Sequence, residues 1–268
     1  MFTIIEGSDS GSDINSVKNQ PQSQSRRQGK KNSNFRQHVN PLSSVHQQSR
    51  IPSPLASPTF LSSLFVSPSL PFHLDVGCAK GKFTLDLARE SEGEGEGEGE
   101  GESNSMKKMN ILGVEIRKEV AEFARNRINT EGYTGGNVAF LQCNANVDLA
   151  PILSHIHALT HLQSVSINFP DPHFKEKHKK RRVHTPEFVR TLREGSKTGV
   201  TRVVLQSDVK EVLDDMRRAF QDDGGWGDEA SDSNSYESGN FFNGIKTDRE
   251  KSVEERGLPV WRCSFRAI

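Results

Sequence analysis

Residues 168–182 read NFPDPHFKEKHKKRR. A single carboxylate, Asp171, stands between two prolines, and Lys175, Lys177, Lys179, Lys180, Arg181 and Arg182 follow it against one acid, Glu176. Prolines fix the backbone on both sides, so Asp171 reads as a carboxylate presented in one orientation. Such a group can accept hydrogen bonds from a ligand or face a developing positive charge. It can also simply cap a strand or pair with a nearby lysine. The bases suit the phosphates of a nucleic acid, which cations hold without reading sequence, although a solvated helix face is the other reading of such a run. His178 and His184 read as polar contacts rather than metal ligands, because no acid or cysteine stands beside them at ligand spacing.

A second constellation lies upstream. In DVGCAKGKF, Gly77 and Gly81 bracket the turn after an apolar run, where a missing Cβ lets backbone amides approach a ligand. Alternatively, Gly77 only ends a strand and Gly81 only admits close helix packing. Glu115 ends the next apolar run and could accept both hydroxyls of a ribose. Asn144, after the third run, could meet an adenine edge. Three such residues after three successive strands point to an adenosine-containing cofactor. The dinucleotide fingerprint G-x-G-x-x-G is not met, since Ala79 holds its middle glycine position. Asp75 would repel a pyrophosphate but could pair with the cationic methionine end of S-adenosylmethionine, which favours the methyl donor.

The elements that must position these residues alternate. HLDVG, NILGVEI, NVAFLQC, SVSINF and TRVVLQS read as strands. Residues 82–90, 118–129, 149–158 and 186–194, with Thr185 as N-cap of the last, read as helices, as does VKEVLDDMRRAF. The final LPVWRCSFRAI alternates as a closing strand. Such a series predicts an α/β fold, a doubly wound, mostly parallel sheet with helices on both faces, whose ligands bind at the carboxyl ends of the strands.

Composition bounds the rest. The 268 residues allow one domain with tails, and 35 basic against 35 acidic residues confine any nucleic-acid surface to a local patch. Residues 1–60, rich in Ser, Gln, Asn and Pro, predict a largely disordered arm, with the methyltransferase-type domain over 61–268. Within that domain, 92–102 (EGEGEGEGEGE) predicts a solvated insertion, and the acidic residues near 222–240 predict a loop. Cys78, Cys143 and Cys263 lie far apart without ligand spacing, which predicts buried thiols in a reducing, intracellular setting and no metal. The early acids of EGSDSGSD argue against a transit peptide, and the later basic, Ser-rich stretch keeps organelle import open. No run of 18 apolar residues occurs, so no membrane span is expected.

With these motifs in hand, the chain resembles the TrmB family of tRNA (guanine-N7-)-methyltransferases, particularly its plant and cyanobacterial branch. NFPDP with KEKHKKRR is similar to the family's signature, with His173 where the family has Trp and Lys177 where it has Arg. RQHVNPLSS (36–44) resembles its N-terminal motif, QSD at Asp208 its T-D, and TDRE (247–250) its T-x-x-E. The resemblance implies a Rossmann-like S-adenosylmethionine-dependent enzyme that methylates N7 of a variable-loop guanine in tRNA. It implies Asp75, Gly77, Glu115, Asn144 and Asp171 around the donor, Asp171 in catalysis, and Lys175, Asp208, Thr247 and Glu250 toward the RNA. The remaining bases, Lys177, Lys179, Lys180, Arg181 and Arg182, would meet phosphates. Nuclear-type relatives work with a β-propeller partner, whereas bacterial and plastid-type ones act alone. The rival readings are an amino-group methyltransferase on another nucleic acid or protein, which would carry an N/D-P-P-Y/F loop that NFPDP lacks, and a non-catalytic RNA-binding Rossmann module.

Overall fold

Strands buried on both faces read as near-continuous apolar runs, and β1 (Phe72–Val76) is buried along its whole length. The computed structural model describes residues 39–93, 107–230, 236–237 and 239–268. After β1 come α1 (Lys82–Glu92), β2 (Asn110–Glu115), α2 (Lys118–Thr130), β3 (Val138–Gln142), α3 (Ala145–Leu159) and β4 (Leu162–Asn168). The chain continues through α4 (Pro186–Glu194), β5 (Arg202–Ser207), α5 (Lys210–Asp223), β6 (Trp226–Asp228), α6 (Asp248–Glu254) and β7 (Trp261–Ala267). The sheet order is β3-β2-β1-β4-β5-β7-β6. Strands β1 to β5 are parallel, and β7 and β6 close the sheet antiparallel.

Two apolar clusters cover the two faces. Leu149 and Ile152 of α3, Phe188 and Leu192 of α4, and Met216 and Phe220 of α5 pack on one; Phe83 and Leu87 of α1 and Ala124 of α2 pack on the other with Ile111 and Phe140. The doubly wound, mostly parallel sheet is therefore as expected. Strand order reverses between β1 and β4, which opens a crevice above their carboxyl ends. Among the described residues no helix is long and apolar enough to cross a membrane.

Two boundaries differ from the sequence expectation. The 1–60 arm falls in two parts: residues 1–38 lie outside the described residues, but 39–60 pack against the sheet. Asp148, with no exposed surface, accepts Ser49 Oγ at 2.7 Å and the amides of Arg50, Ile51 and Asn144 at 2.8, 3.3 and 3.1 Å. Ile51 enters the core. Polar composition hides such a strap, because one buried carboxylate satisfies its backbone. Second, the acidic stretch is partly strand: Asp228 of β6 pairs with Arg217, and Glu229 with Arg202 and Arg266. The TDRE motif, to which the sequence pattern assigned no element, opens α6. The repeat at 94–102 and residues 231–235 and 238 lie outside the described residues.

Candidate active site

The loop from β1 to α1 turns through three left-handed residues, Gly77 (φ +80°), Ala79 (φ +48°) and Gly81 (φ +72°). A Cβ on Gly81 would stand 2.6 Å from the Phe140 ring and 2.8 Å from Ala124 Cβ, so Gly81 serves packing. A Cβ on Gly77 would meet nothing within 4 Å, which leaves the crevice open there. Ala79 sits where glycine is at ease, and left-handed backbone costs an alanine about 1–2 kcal/mol. Ala79→Gly should therefore stabilise the fold by about 0.5–1 kcal/mol in denaturant melts, after subtracting the larger chain entropy of glycine.

Asp75 is the penultimate residue of β1 and is buried. Its carboxylate accepts Thr84 Oγ1 at 2.6 Å and Ser166 Oγ at 2.8 Å. Burial, only partly offset by these hydroxyls and by Asn168, raises its pKa to about 6. Because the Ser166 hydroxyl donates to Asp75, its oxygen receives Nε2–H of His73 at 3.1 Å, and Nδ1 of His73 accepts from Ser164 at 2.8 Å. Burial keeps that imidazole neutral, with a pKa of about 3.

Glu115, at the end of β2, is held by its own loop. Oε1 accepts the amide and Nε of Arg117 at 2.9 and 3.0 Å, and Oε2 accepts the guanidinium at 2.9 Å. A ribose would share this carboxylate with Arg117, whose charge is also stabilised by Asp171. Sequence reasoning passed over Arg117, although an arginine two residues beyond a strand-end acid was the available signal.

Asn144 is spent differently from the adenine contact expected of it. Its Oδ1 caps α3 at Asn146 N (3.1 Å), while its Nδ2 donates to the carbonyls of Pro41 and His46 at 3.1 and 2.9 Å. It fastens the 39–51 strap to the sheet.

Asp171 lies beyond β4 in a loop flanked by two non-glycine residues with left-handed backbone, Phe169 (φ +49°) and His173 (φ +42°). Such strain persists where surroundings over-determine it, and Arg182 supplies the clamp. Arg182 is buried; its Nε donates to the Pro172 carbonyl at 3.0 Å and its guanidinium pairs with Asp215 of α5 at 2.5 Å. Arg182 is thus a loop anchor, not the phosphate contact expected from the basic run. His184 Nε2 joins the same carboxylate at 2.8 Å, and together they hold Asp215 well below the usual carboxylate range. Lys175, Lys177, Lys179 and Lys180 are exposed on or beside the 3-10 turn Glu176–Arg181, with Arg181 half-buried.

A cavity of about 800 Å³ separates this loop from the strap. Asp171, Phe174, Lys175 and His178 line one wall, and Asn40, Val45 and His46 line the other.

The residues expected toward RNA at the sheet's far end are mostly committed to structure. Thr247 and Glu250 form the capping box of α6. Glu250 has no exposed surface and binds Arg262 at 2.7 Å and Gln206 at 3.1 Å. It holds this end of the sheet and cannot itself touch RNA in this conformation. Asp208, beyond β5, pairs with Arg249. Among the described residues no group of three His, Cys, Asp or Glu could hold a metal ion.

A family described as "Putative methyltransferase" matches residues 97–263, more than half of the chain. A protein of Thermosynechococcus vestitus named tRNA (guanine-N(7)-)-methyltransferase is 39% identical over 230 residues, covering 86% of this chain and 93% of its own. Proteins of the same name from Synechococcus sp. (strain CC9311) and Trichormus variabilis are each 35% identical. They cover 86% and 87% of this chain, and 86% and 95% of their own lengths.

Proposed function

The chain belongs to the tRNA (guanine-N(7)-)-methyltransferase family, and on that premise we propose that it methylates N7 of a tRNA guanine, in the variable loop, with Asp171 at the reacting base. One observation carries the site assignment: Asp171 lines a cavity of about 800 Å³ between the loop after β4 and the 39–46 strap, with the exposed Lys175 in the same lining. S-adenosylmethionine, when bound, supplies a methyl carbon activated by its sulfonium charge. The crevice fits that donor. Gly77 leaves space against the backbone, Asp75 is a buried carboxylate whose pKa burial raises and which a cationic group would stabilise, and Glu115, buried at the end of β2, would accept the ribose hydroxyls.

Guanine N7 presents an unprotonated lone pair on the major-groove edge, so the chain needs no general base. Its residues have to align the base with the methyl group, which is catalysis by proximity and orientation. Asp171 accepts from the N–H groups of guanine and faces a purine that becomes cationic on methylation. Arg182 keeps the Asp171 loop in its strained form through the Pro172 carbonyl. The similarity to cyanobacterial proteins supports a chain that acts without a partner subunit.

Methyl transfer from labelled S-adenosylmethionine to unmodified tRNA tests this reading. Label mapping to N7 of one guanine is expected, and label on an amino group would replace the reading with an amino-methyltransferase. For the basic turn, replacing Lys177, Lys179 and Lys180 by alanine should lower the log–log salt slope of tRNA binding by about 2 to 3, at roughly 0.7–0.9 per lost phosphate contact. Filter binding across a salt series reads that slope.

A further inference from the structure

Phe174 is 69% exposed at the mouth of the cavity, and Val45 on the facing strap is 58% exposed. Leu42, 41% exposed, extends the apolar lip along the strap. A lone exposed apolar side chain needs no explanation. Here, however, the aromatic ring and two aliphatic groups line or flank one cavity and stand beside Lys175, Lys177, Lys179 and Lys180, all exposed. An apolar shelf within a cationic face has the chemistry of a single-stranded nucleic-acid site, where lysines track phosphates and an aromatic face takes a base by stacking.

Both walls of the shelf are held by buried polar groups. Asn144 and Asp148 fix the strap, and Arg182 with Asp215 fixes the loop. A preformed surface loses little entropy when a base docks. The neighbouring His178 has its pKa lowered from the ordinary histidine value by partial desolvation and then by Arg181, Lys177 and Lys175.

We propose that Phe174, with Val45 across the cavity, is a stacking shelf for an unpaired RNA base, a specificity-determining contact separate from the phosphate contacts of the lysines. The proposal rests on the tRNA reading above. Stacking does not release counterions, so its loss and the loss of a lysine differ in salt dependence. Phe174→Ala should weaken tRNA binding by about ten- to a hundredfold at every salt concentration, with the slope unchanged. Phe174→Trp should retain wild-type affinity, and a fully paired RNA duplex should bind the wild type and the alanine variant alike. Donor affinity, measured by calorimetry in the same variants, should not move. Alanine-variant binding within twofold of wild type, a changed slope, or an equal loss on the duplex would overturn the shelf. Wild-type protein that transfers no methyl to any tRNA would instead overturn the activity on which it rests.

Discussion

Asp171→Asn should lower kcat for methyl transfer by about a hundredfold, near 3 kcal/mol of transition-state stabilisation, while tRNA and donor affinities should stay within a few-fold of wild type. The substitution keeps shape and an acceptor oxygen but removes the negative charge. Before transfer the purine is neutral; afterwards it is cationic, so the carboxylate's attraction grows along the reaction and is felt most in the transition state. An interaction gained only there reduces kcat and kcat/KM together. Single-turnover kinetics with separately measured dissociation constants resolve the two. A parallel loss of tRNA binding would mean that Asp171 merely positions the loop.

Asp75→Asn should separate stability from affinity in opposite directions. A carboxylate in an unfolded chain titrates near 4, whereas Asp75 in the fold titrates at about 6. Between those values the native state holds more protons, so stability falls as pH rises through the window, and the whole penalty is present above it. A shift of this size corresponds to about 3 kcal/mol at neutral pH as an upper bound. The asparagine variant escapes the penalty and should be at least as stable as wild type in denaturant melts at neutral pH.

Donor affinity should nevertheless fall by about tenfold or more, because the cationic end of the donor loses a partner worth roughly 1.5–3 kcal/mol. In the wild type, a cation beside Asp75 favours its ionised form, so donor binding should tighten as pH rises to about 6 and then level off. The groups that bear on this titration are Thr84 from α1, Ser166 and Asn168 from β4, and Glu115 from β2. The asparagine variant should show a flat profile over the same range. Unchanged affinity and an unchanged profile would remove Asp75 from the donor site.

Much of the scaffold was legible because it rests on local patterns. The short apolar runs became β1 to β5, Thr185 caps α4 as its residue type suggested, with its hydroxyl accepting Phe188 N at 3.2 Å, and the carboxyl ends of the strands carry the polar residues. The polar residues that proved structural were not legible, because their partners are distant in the chain. Arg182 turns inward toward Asp215, 33 residues on. Asn144 and Asp148 bind the strap across roughly a hundred residues. Glu250 meets Arg262 of β7. A basic run or a T-x-x-E motif fixes residue type, whereas burial decides whether that type faces RNA or the core.

The most direct test of N7 as the acceptor uses a tRNA whose target guanine is replaced by 7-deazaguanine. That analogue lacks the nucleophile but keeps the Watson–Crick edge, the phosphates and the stacking face. It should bind with near wild-type affinity, inhibit transfer to ordinary tRNA competitively, and accept no methyl from labelled donor. Label incorporated at the substituted base would contradict the account.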